Sequence, residues 1–278
     1  FNNDSNPTII MEYSPNASLQ QLLESEKKCL QPIEWNDTKR LIIIYGIACG
    51  MSILHSNKII HRNLKPSKIL LDEYLLPKIS NFELSITEDE LIDKSLYDKI
   101  GTLIYMAPEI IEDKKYGKPI DVYSFSMIVY EIICGKCPHP DLLNRKIGIF
   151  ELQKKVVEGF RPEIDSHIPK SYKNLIKRCW SQEPEERPTF EEIVNLLKTN
   201  KGFRKNVDEE EFLAFVEDQE EYFIELPNNK KSIECLKKQK KPKFRFKKVQ
   251  IEYPETKELL VDIEPIDLSL FEQKIFVG

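Results

Sequence analysis

Ile59-Ile60-His61-Arg62-Asn63-Leu64-Lys65-Pro66-Ser67-Lys68-Ile69-Leu70-Leu71 is the stretch that decides how the rest of the chain is read. An apolar pair leads in, polar and basic residues fill the middle, and an apolar run leads out. That pattern predicts a loop held between two short buried strands, with its polar side chains presented in a cleft. Asn63 can accept a hydrogen bond there but has no useful basicity near neutral pH. Lys65 and Lys68 bring two ammonium groups into the same span, although a loop lysine is most often simply solvated.

The 278 residues are enough to bury a sizeable core, as one large domain or two smaller ones. A hydrophobic share of 41% and a charged share of 31% describe a soluble globular protein, and a net charge of −5 selects no class of partner. Cys29, Cys49, Cys134, Cys137, Cys179 and Cys235 are scattered, several within apolar helical patterns. Buried free thiols in a reducing, cytoplasmic setting explain them better than a disulfide framework. Cys134-Gly-Lys-Cys137 with His139 has zinc-like spacing but lacks a second pair of ligands. The longest apolar run, residues 41–54, contains Gly46, Gly50 and Ser52 and falls short of the ~20 residues of a membrane helix. It reads as a buried core helix, and no transmembrane segment is expected. The chain opens on Phe1 without Met or a signal peptide, which reads as a fragment. Asn16-Ala-Ser18 and Asn36-Asp-Thr38 fit the glycosylation acceptor pattern, without consequence in a cytosolic protein.

Taken in order, Thr8-Ile-Ile-Met11 is a β-rich run stopped by the polar turn Glu12-Tyr13-Ser14-Pro15-Asn16, and Ser18 opens a helix. Trp35-Asn36-Asp37-Thr38 caps a helix over residues 39–56 that is apolar nearly all round, as a helix at the centre of a domain is. A second apolar-to-polar passage is Lys78-Ile-Ser-Asn81-Phe82-Glu83-Leu84. A polar segment with Ser85, Thr87, Ser95, Tyr97 and Thr102 then runs to Gly101-Thr-Leu-Ile-Tyr-Met-Ala-Pro-Glu109. Residues 118–135 predict a buried helix with Pro119 near its start and Gly135 just past its end. Helices over residues 150–159, 170–180 and 189–197 complete a bundle, and Cys179-Trp180-Ser-Gln-Glu-Pro184-Glu-Glu-Arg187-Pro188 lies between the last two.

These strings together resemble the large lobe of protein kinases, from about Thr8 to Asn200, in serine/threonine style and closest in pattern to the tyrosine-kinase-like group. The resemblance implies an α+β protein-kinase-like fold: a mainly helical large lobe with a residual small-lobe strand, over residues 1–200. It makes Met11 the residue at the back of a nucleotide pocket, Glu12 and Tyr13 part of the hinge that faces an adenine ring, and Leu70 the apolar contact beneath it. His61 and Arg62 take scaffold positions, the Arg commonly pairing with a phosphate on the activation segment. Asp121 would hold the backbone of the catalytic loop, Phe82 would fill its scaffold place, and Arg187 would pair with Glu109. No glycine-rich loop, strand lysine or partner glutamate precedes this region in the sequence.

At the chemical positions the chain departs from the family. Asn63 stands where the family has its catalytic Asp, while Lys65, which meets the transferred phosphate, is present. Lys68 stands in place of a metal-binding Asn, Asn81 in place of the Asp that grips Mg²⁺, and Glu83 in place of a Gly. An ammonium cannot ligate a cation, and hard cations want charged oxygens. Glu83 could itself offer a carboxylate, and Lys68 could stand in electrostatically for the metal. The expectation is a pseudokinase that binds, scaffolds or regulates in signalling through protein partners, without a firm cofactor. The alternatives are an active serine/threonine kinase using ATP and Mg²⁺, and a non-catalytic adaptor working through its tail.

Residues 201–278 form a charged extension of unknown fold. An acidic stretch from Asp208 to Glu221 with Phe212, Leu213, Phe215 and Val216 predicts a short amphipathic helix. From Lys230 to Lys248 the chain is strongly basic, with Phe244, Phe246, Val249 and Ile251 hinting at strands. Such a run could contact nucleic acid or an anionic membrane, or be a solvated linker that pairs with the acidic stretch.

Overall fold

The computed structural model describes residues 12–92, 103–144, 146–225 and 249. The strand expected to end at Met11, the hydroxyls of Ser95, Tyr97 and Thr102, and the basic run of residues 230–248 lie outside the described residues.

Helix α1 (Leu19–Lys27) starts at Ser18, whose backbone N–H donates to Gln21 Oε1 at 3.1 Å. Helix α2 (Asp37–Ser56) starts at Asn36, whose Oδ1 accepts from the Lys39 N–H at 3.1 Å, an ordinary N-cap. Leu41, Ile42, Ile43, Ile44, Ile47 and Ala48 are all buried, so α2 has no solvent face through its middle and forms the axis of the lobe. Helices α8 (Phe190–Thr199) and α9 (Glu209–Glu225) and strand β3 (Pro77–Ile79) pack around it.

Strand β1 (Ile59–Ile60) leaves α2 and pairs antiparallel with β4 (Ile86–Thr87), Ile60 opposite Ile86. Strand β2 (Ile69–Leu71) pairs antiparallel with β3, Ile69 opposite Ile79. The stretch 59–71 is therefore a loop between two short strands that belong to different two-stranded sheets. An isolated bridge from Ser18 to Leu70 attaches the segment leading into α1 to the outer edge of β2.

Helix α3 (Pro108–Ile111) leads to α4 (Pro119–Cys134), which has Pro at its first position and ends at Gly135 with φ +64°. That left-handed residue is where glycine costs least, and its N–H closes the helix on Glu131 O at 3.0 Å. Helix α4 is buried almost throughout and packs on α7 (Lys170–Cys179). The short α5 (Pro140–Leu143) and α6 (Ile149–Val157) lie between them in sequence. Helix α8 carries the capping box that Thr189 and Glu192 permit, at 2.9 and 3.2 Å.

The chain continues to pack beyond α8. Phe212, Phe215 and Val216 of α9 are buried against α2, and Tyr45 meets both phenyl rings edge-on at centroid distances of 5.6 and 6.2 Å. Gly46 permits this approach: a Cβ there would lie 2.6 Å from Pro77 Cγ and 3.2 Å from Phe215 Cζ. The acidic residues of α9 meet cations of the lobe, Glu211 with Lys39 at 2.7 Å, Glu209 with Arg204 at 3.1 Å, and Glu220 with Lys198. Val249 is buried, its N–H donating to Glu73 O at 2.7 Å and its carbonyl accepting from Asn16 Nδ2 at 2.8 Å.

Among the described cysteines Cys49 and Cys179 are buried and Cys134 and Cys137 half-buried, but Cys29 is exposed. It follows α1 in a left-handed conformation at φ 56°, outside the apolar pattern that places the others inside.

Candidate functional site

The geometry of the loop after β1 is set from α4. Asp121 lies in the first turn of that helix and is fully buried. Its Oδ2 accepts from the His61 N–H at 2.8 Å and faces His55 Nε2 at 2.9 Å, while Oδ1 accepts from the Arg62 N–H at 2.9 Å. Arg62 sits at φ +63°, a conformation that costs a residue with a Cβ on the order of 1–3 kcal/mol. A buried carboxylate that holds the N–H groups on both sides of that peptide makes the cost bearable.

The His61 ring accepts from the Asn63 N–H on Nδ1 at 3.3 Å and lies 3.2 Å from Ser80 O through Nε2, which fits a neutral ring protonated on Nε2. Burial lowers its pKa and outweighs the nearby Asp121 carboxylate, which pulls the other way. Phe82 stands edge-on to the ring at 5.5 Å. Arg62 donates from Nε to Leu84 O at 2.6 Å and from Nη1 to Tyr116 Oη at 3.0 Å. The loop and the 81–84 turn are thus fixed to one another. A further tie is Ser80, whose N–H and Oγ both reach Lys68 O, at 2.9 and 3.1 Å.

Asn63, Lys65, Lys68, Asn81 and Glu83 are borne on this frame. Asn63 is nearly buried. Asn81 adopts φ +64°, which asparagine tolerates better than most residues, and its Oδ1 is buried without a hydrogen-bond partner. Lys68 Nζ lies 3.9 Å from Glu83 Oε1, with the two side chains 21% and 43% exposed. Burial lowers the Lys65 pKa, Lys68 lowers it further, and Glu83 opposes both. Leu70 is half-buried in β2 next to Ser18. Of the expected hinge residues, Glu12 pairs with Lys78 and Tyr13 is almost fully exposed; Met11 lies outside the described residues.

The segment around α3 is equally fixed. Arg187 grips Glu109 with both arms, Nη1 to Oε1 at 2.6 Å and Nη2 to Oε2 at 2.9 Å, and donates to Pro119 O at 3.0 Å. Its guanidinium also lies over the Tyr123 ring at 5.2 Å. Tyr105 donates to Glu131 Oε1 at 2.5 Å, and Ser124 Oγ donates to Tyr105 O at 2.8 Å, which pins the turn ahead of α3. Burial raises the Glu131 carboxyl pKa despite this bond.

Four of these partners escaped the sequence reading: His55 under Asp121, Tyr116 beside Arg62, Glu131 beneath Tyr105, and Asn16 linking Asp72 O at 2.7 Å to Val249. Each is a single polar residue, and nothing in its spacing signals its partner. Among the described residues no group of three or more His, Cys, Asp or Glu side chains could hold a metal. The cleft residues do not fit a divalent cation either. Glu83, the one carboxylate among these five residues, faces an ammonium, and Asn63 and Asn81 offer only uncharged oxygens, so little negative charge is left to hold a hard cation.

A scaffold that spends a buried carboxylate on holding a loop, and a buried Arg–Glu pair on anchoring the segment opposite, is that of a kinase large lobe. A sequence model of protein tyrosine and serine/threonine kinases matches residues 1–197, and the chain belongs to that family. A probable serine/threonine-protein kinase of Dictyostelium discoideum is 36% identical over 190 residues, covering 68% of this chain and 14% of that protein. The dual specificity protein kinase pyk3 of the same organism is 35% identical over 196 residues, 70% of this chain and 14% of its own length. The serine/threonine-protein kinase STY17 of Arabidopsis thaliana is 30% identical over 205 residues, 74% of this chain and 34% of its own. The chain thus spans well under half the length of these relatives. Among the described residues no helix is long and apolar enough to cross a membrane.

Proposed function

We propose that this chain is a pseudokinase: a kinase large lobe that binds and regulates protein partners in cytoplasmic signalling, with no effective phosphoryl transfer. The observation that carries the reading is the ion pair of Lys68 with Glu83, set beside Asn63 and Asn81. General-base help contributes on the order of 10²–10⁴ in rate, so Asn63 alone would leave a slow enzyme. The loss of the metal ligands is graver, because phosphoryl transfer depends on metal to neutralise the phosphates. The frame that holds the loop is meanwhile complete, from Asp121 to the Arg187–Glu109 pair.

A working serine/threonine kinase is the second reading, favoured by the similarity to serine/threonine-protein kinases and by the presence of Lys65. The deciding measurement is transfer of radiolabel from Mg²⁺–ATP to a generic protein substrate by the purified full-length protein. We expect none above background. Robust incorporation that Lys65→Met abolishes would establish the second reading in its place.

A further inference from the structure

We propose that the cleft beside β2 takes the polyphosphate chain of a nucleotide directly on Lys65 and Lys68, without a divalent metal, and that Mg²⁺ weakens this binding. The inference rests on the pseudokinase reading of the site and names its ligand.

The charges make the argument. The resemblance sets two carboxylates and a neutral amide around the catalytic-loop lysine, with metal bridging them to the phosphates. Here Asn63 and Asn81 remove both carboxylates, and Lys68 adds a cation; Glu83 alone runs the other way. A single 3-10 turn joins the two lysines, the Lys68 N–H donating to Lys65 O at 2.9 Å, and on top of its burial the Lys65 ammonium is disfavoured by the Lys68 charge. A multivalent anion between them relieves that repulsion, whereas a metal cation adds to it.

Glu83 is the built-in counter-ion. It sits at the outer limit of an ion pair, 3.9 Å from Lys68 Nζ, and is the more exposed of the two side chains. A pair so loose and so well hydrated is weak, and a phosphate can displace the carboxylate by moving one exposed side chain. Asn81 can turn its amide so that Nδ2 donates to an incoming phosphate oxygen. The frame need not move, because Lys68 is tied to Ser80, just ahead of the 81–84 turn, through its backbone carbonyl rather than its side chain.

The test is titration of the full chain with ATP and, separately, with inorganic tripolyphosphate, each in EDTA and in excess Mg²⁺, followed by calorimetry. Binding is expected in EDTA and about tenfold weaker with Mg²⁺, since the metal cancels part of the ligand's charge. Lys68→Met should weaken it by about tenfold or more, and Glu83→Gln should tighten it by about two- to threefold. Circular dichroism melts of both variants keep the test fair, since neither side chain belongs to the frame. Equal affinity for the two probes assigns binding to the phosphate chain; tighter ATP adds the base, over Leu70. No binding in EDTA overturns the inference while leaving the pseudokinase reading intact. Binding that Mg²⁺ tightens also overturns it, and together with label transfer would remove both.

Discussion

Replacing Phe215 by alanine asks whether the folded unit stops where the family match stops, at residue 197, or includes α9. Phe215 is 2% exposed, lies edge-on to Tyr45 at 6.2 Å, and would come within 3.2 Å of a Cβ at Gly46. The gap it leaves is bounded by the α2 backbone and the Pro77 ring, neither of which can swing in to fill it. A phenyl-to-alanine change at such a site costs about 3–5 kcal/mol. With a urea dependence near the upper end of ~1–3 kcal/mol per molar, the midpoint should fall by about 1–2 M. Leu213, two residues earlier and 37% exposed, is the control. Its alanine variant loses little burial and should stay within about 0.5 kcal/mol of the parent.

The assay is equilibrium urea unfolding of the full chain, followed both by far-ultraviolet circular dichroism and by tryptophan fluorescence. Trp35 and Trp180 are buried in the lobe and neither belongs to α9, so their fluorescence reports the lobe itself. If α9 belongs to the same cooperative unit, Phe215→Ala shifts the fluorescence transition as far as the dichroism transition. A fluorescence midpoint equal to the parent's would show that α9 unfolds on its own, and the packing argument would be wrong.

Two further outcomes follow from the buried charges. Arg187→Met leaves the Glu109 carboxylate buried without its cation and should cost about 3–5 kcal/mol in the same unfolding assay; adding Glu109→Leu should recover part of that loss, and a double variant no better than the single would refute the pairing. His61 and His139 are both held below their ordinary pKa of 6.5 by burial, His139 down to about 4 with Arg161 also lowering it. The unfolded chain therefore binds more protons between those values, so their contribution is full above about pH 6.5 and is lost as pH falls toward 4. Asp72 and Glu131, raised by burial, act in the opposite sense, so the measurement is a difference: unfolding free energy against pH for the parent and for His139→Phe. The variant should lose less stability on acidification, and parallel curves would refute the assignment.

The long elements were legible because their signals are local or periodic. The all-round apolar pattern of α2, Asn36 as its cap, and Pro119 and Gly135 at the ends of α4 each act within one turn of the residue that carries them. Glu109, Asp121 and Arg187 were legible for another reason, since their strings match a family and the family supplies the distant partner. The sequence reading did not reach the bonds that have neither advantage. His55 reaches Asp121 across 66 residues, and Asn16 reaches Val249 across 233. The pairing of the acidic stretch was likewise out of reach. Charge alternation suggested the following basic run, which lies outside the described residues; among the described ones Glu209, Glu211 and Glu220 meet Arg204, Lys39 and Lys198, because α9 is laid on the lobe by Phe212 and Phe215 and its charges follow.

The bonds that shape the cleft explain how its chemistry could change while its form did not. Asp121 holds the N–H groups of His61 and Arg62, Ser80 holds the carbonyl of Lys68, and Arg62 holds the carbonyl of Leu84. Every one of these ties ends on backbone, so none depends on which side chain stands at 63, 68, 81 or 83. The left-handed turn at position 81 asks only for a residue that tolerates positive φ, and asparagine meets that demand as well as an aspartate would. Glu83 lies in an exposed bend, where a carboxylate replaces glycine at little cost to the fold. The chemical positions are therefore the least constrained by folding of any in the cleft. Selection on stability alone would keep Asp121, Glu109 and Arg187 and let the metal ligands drift.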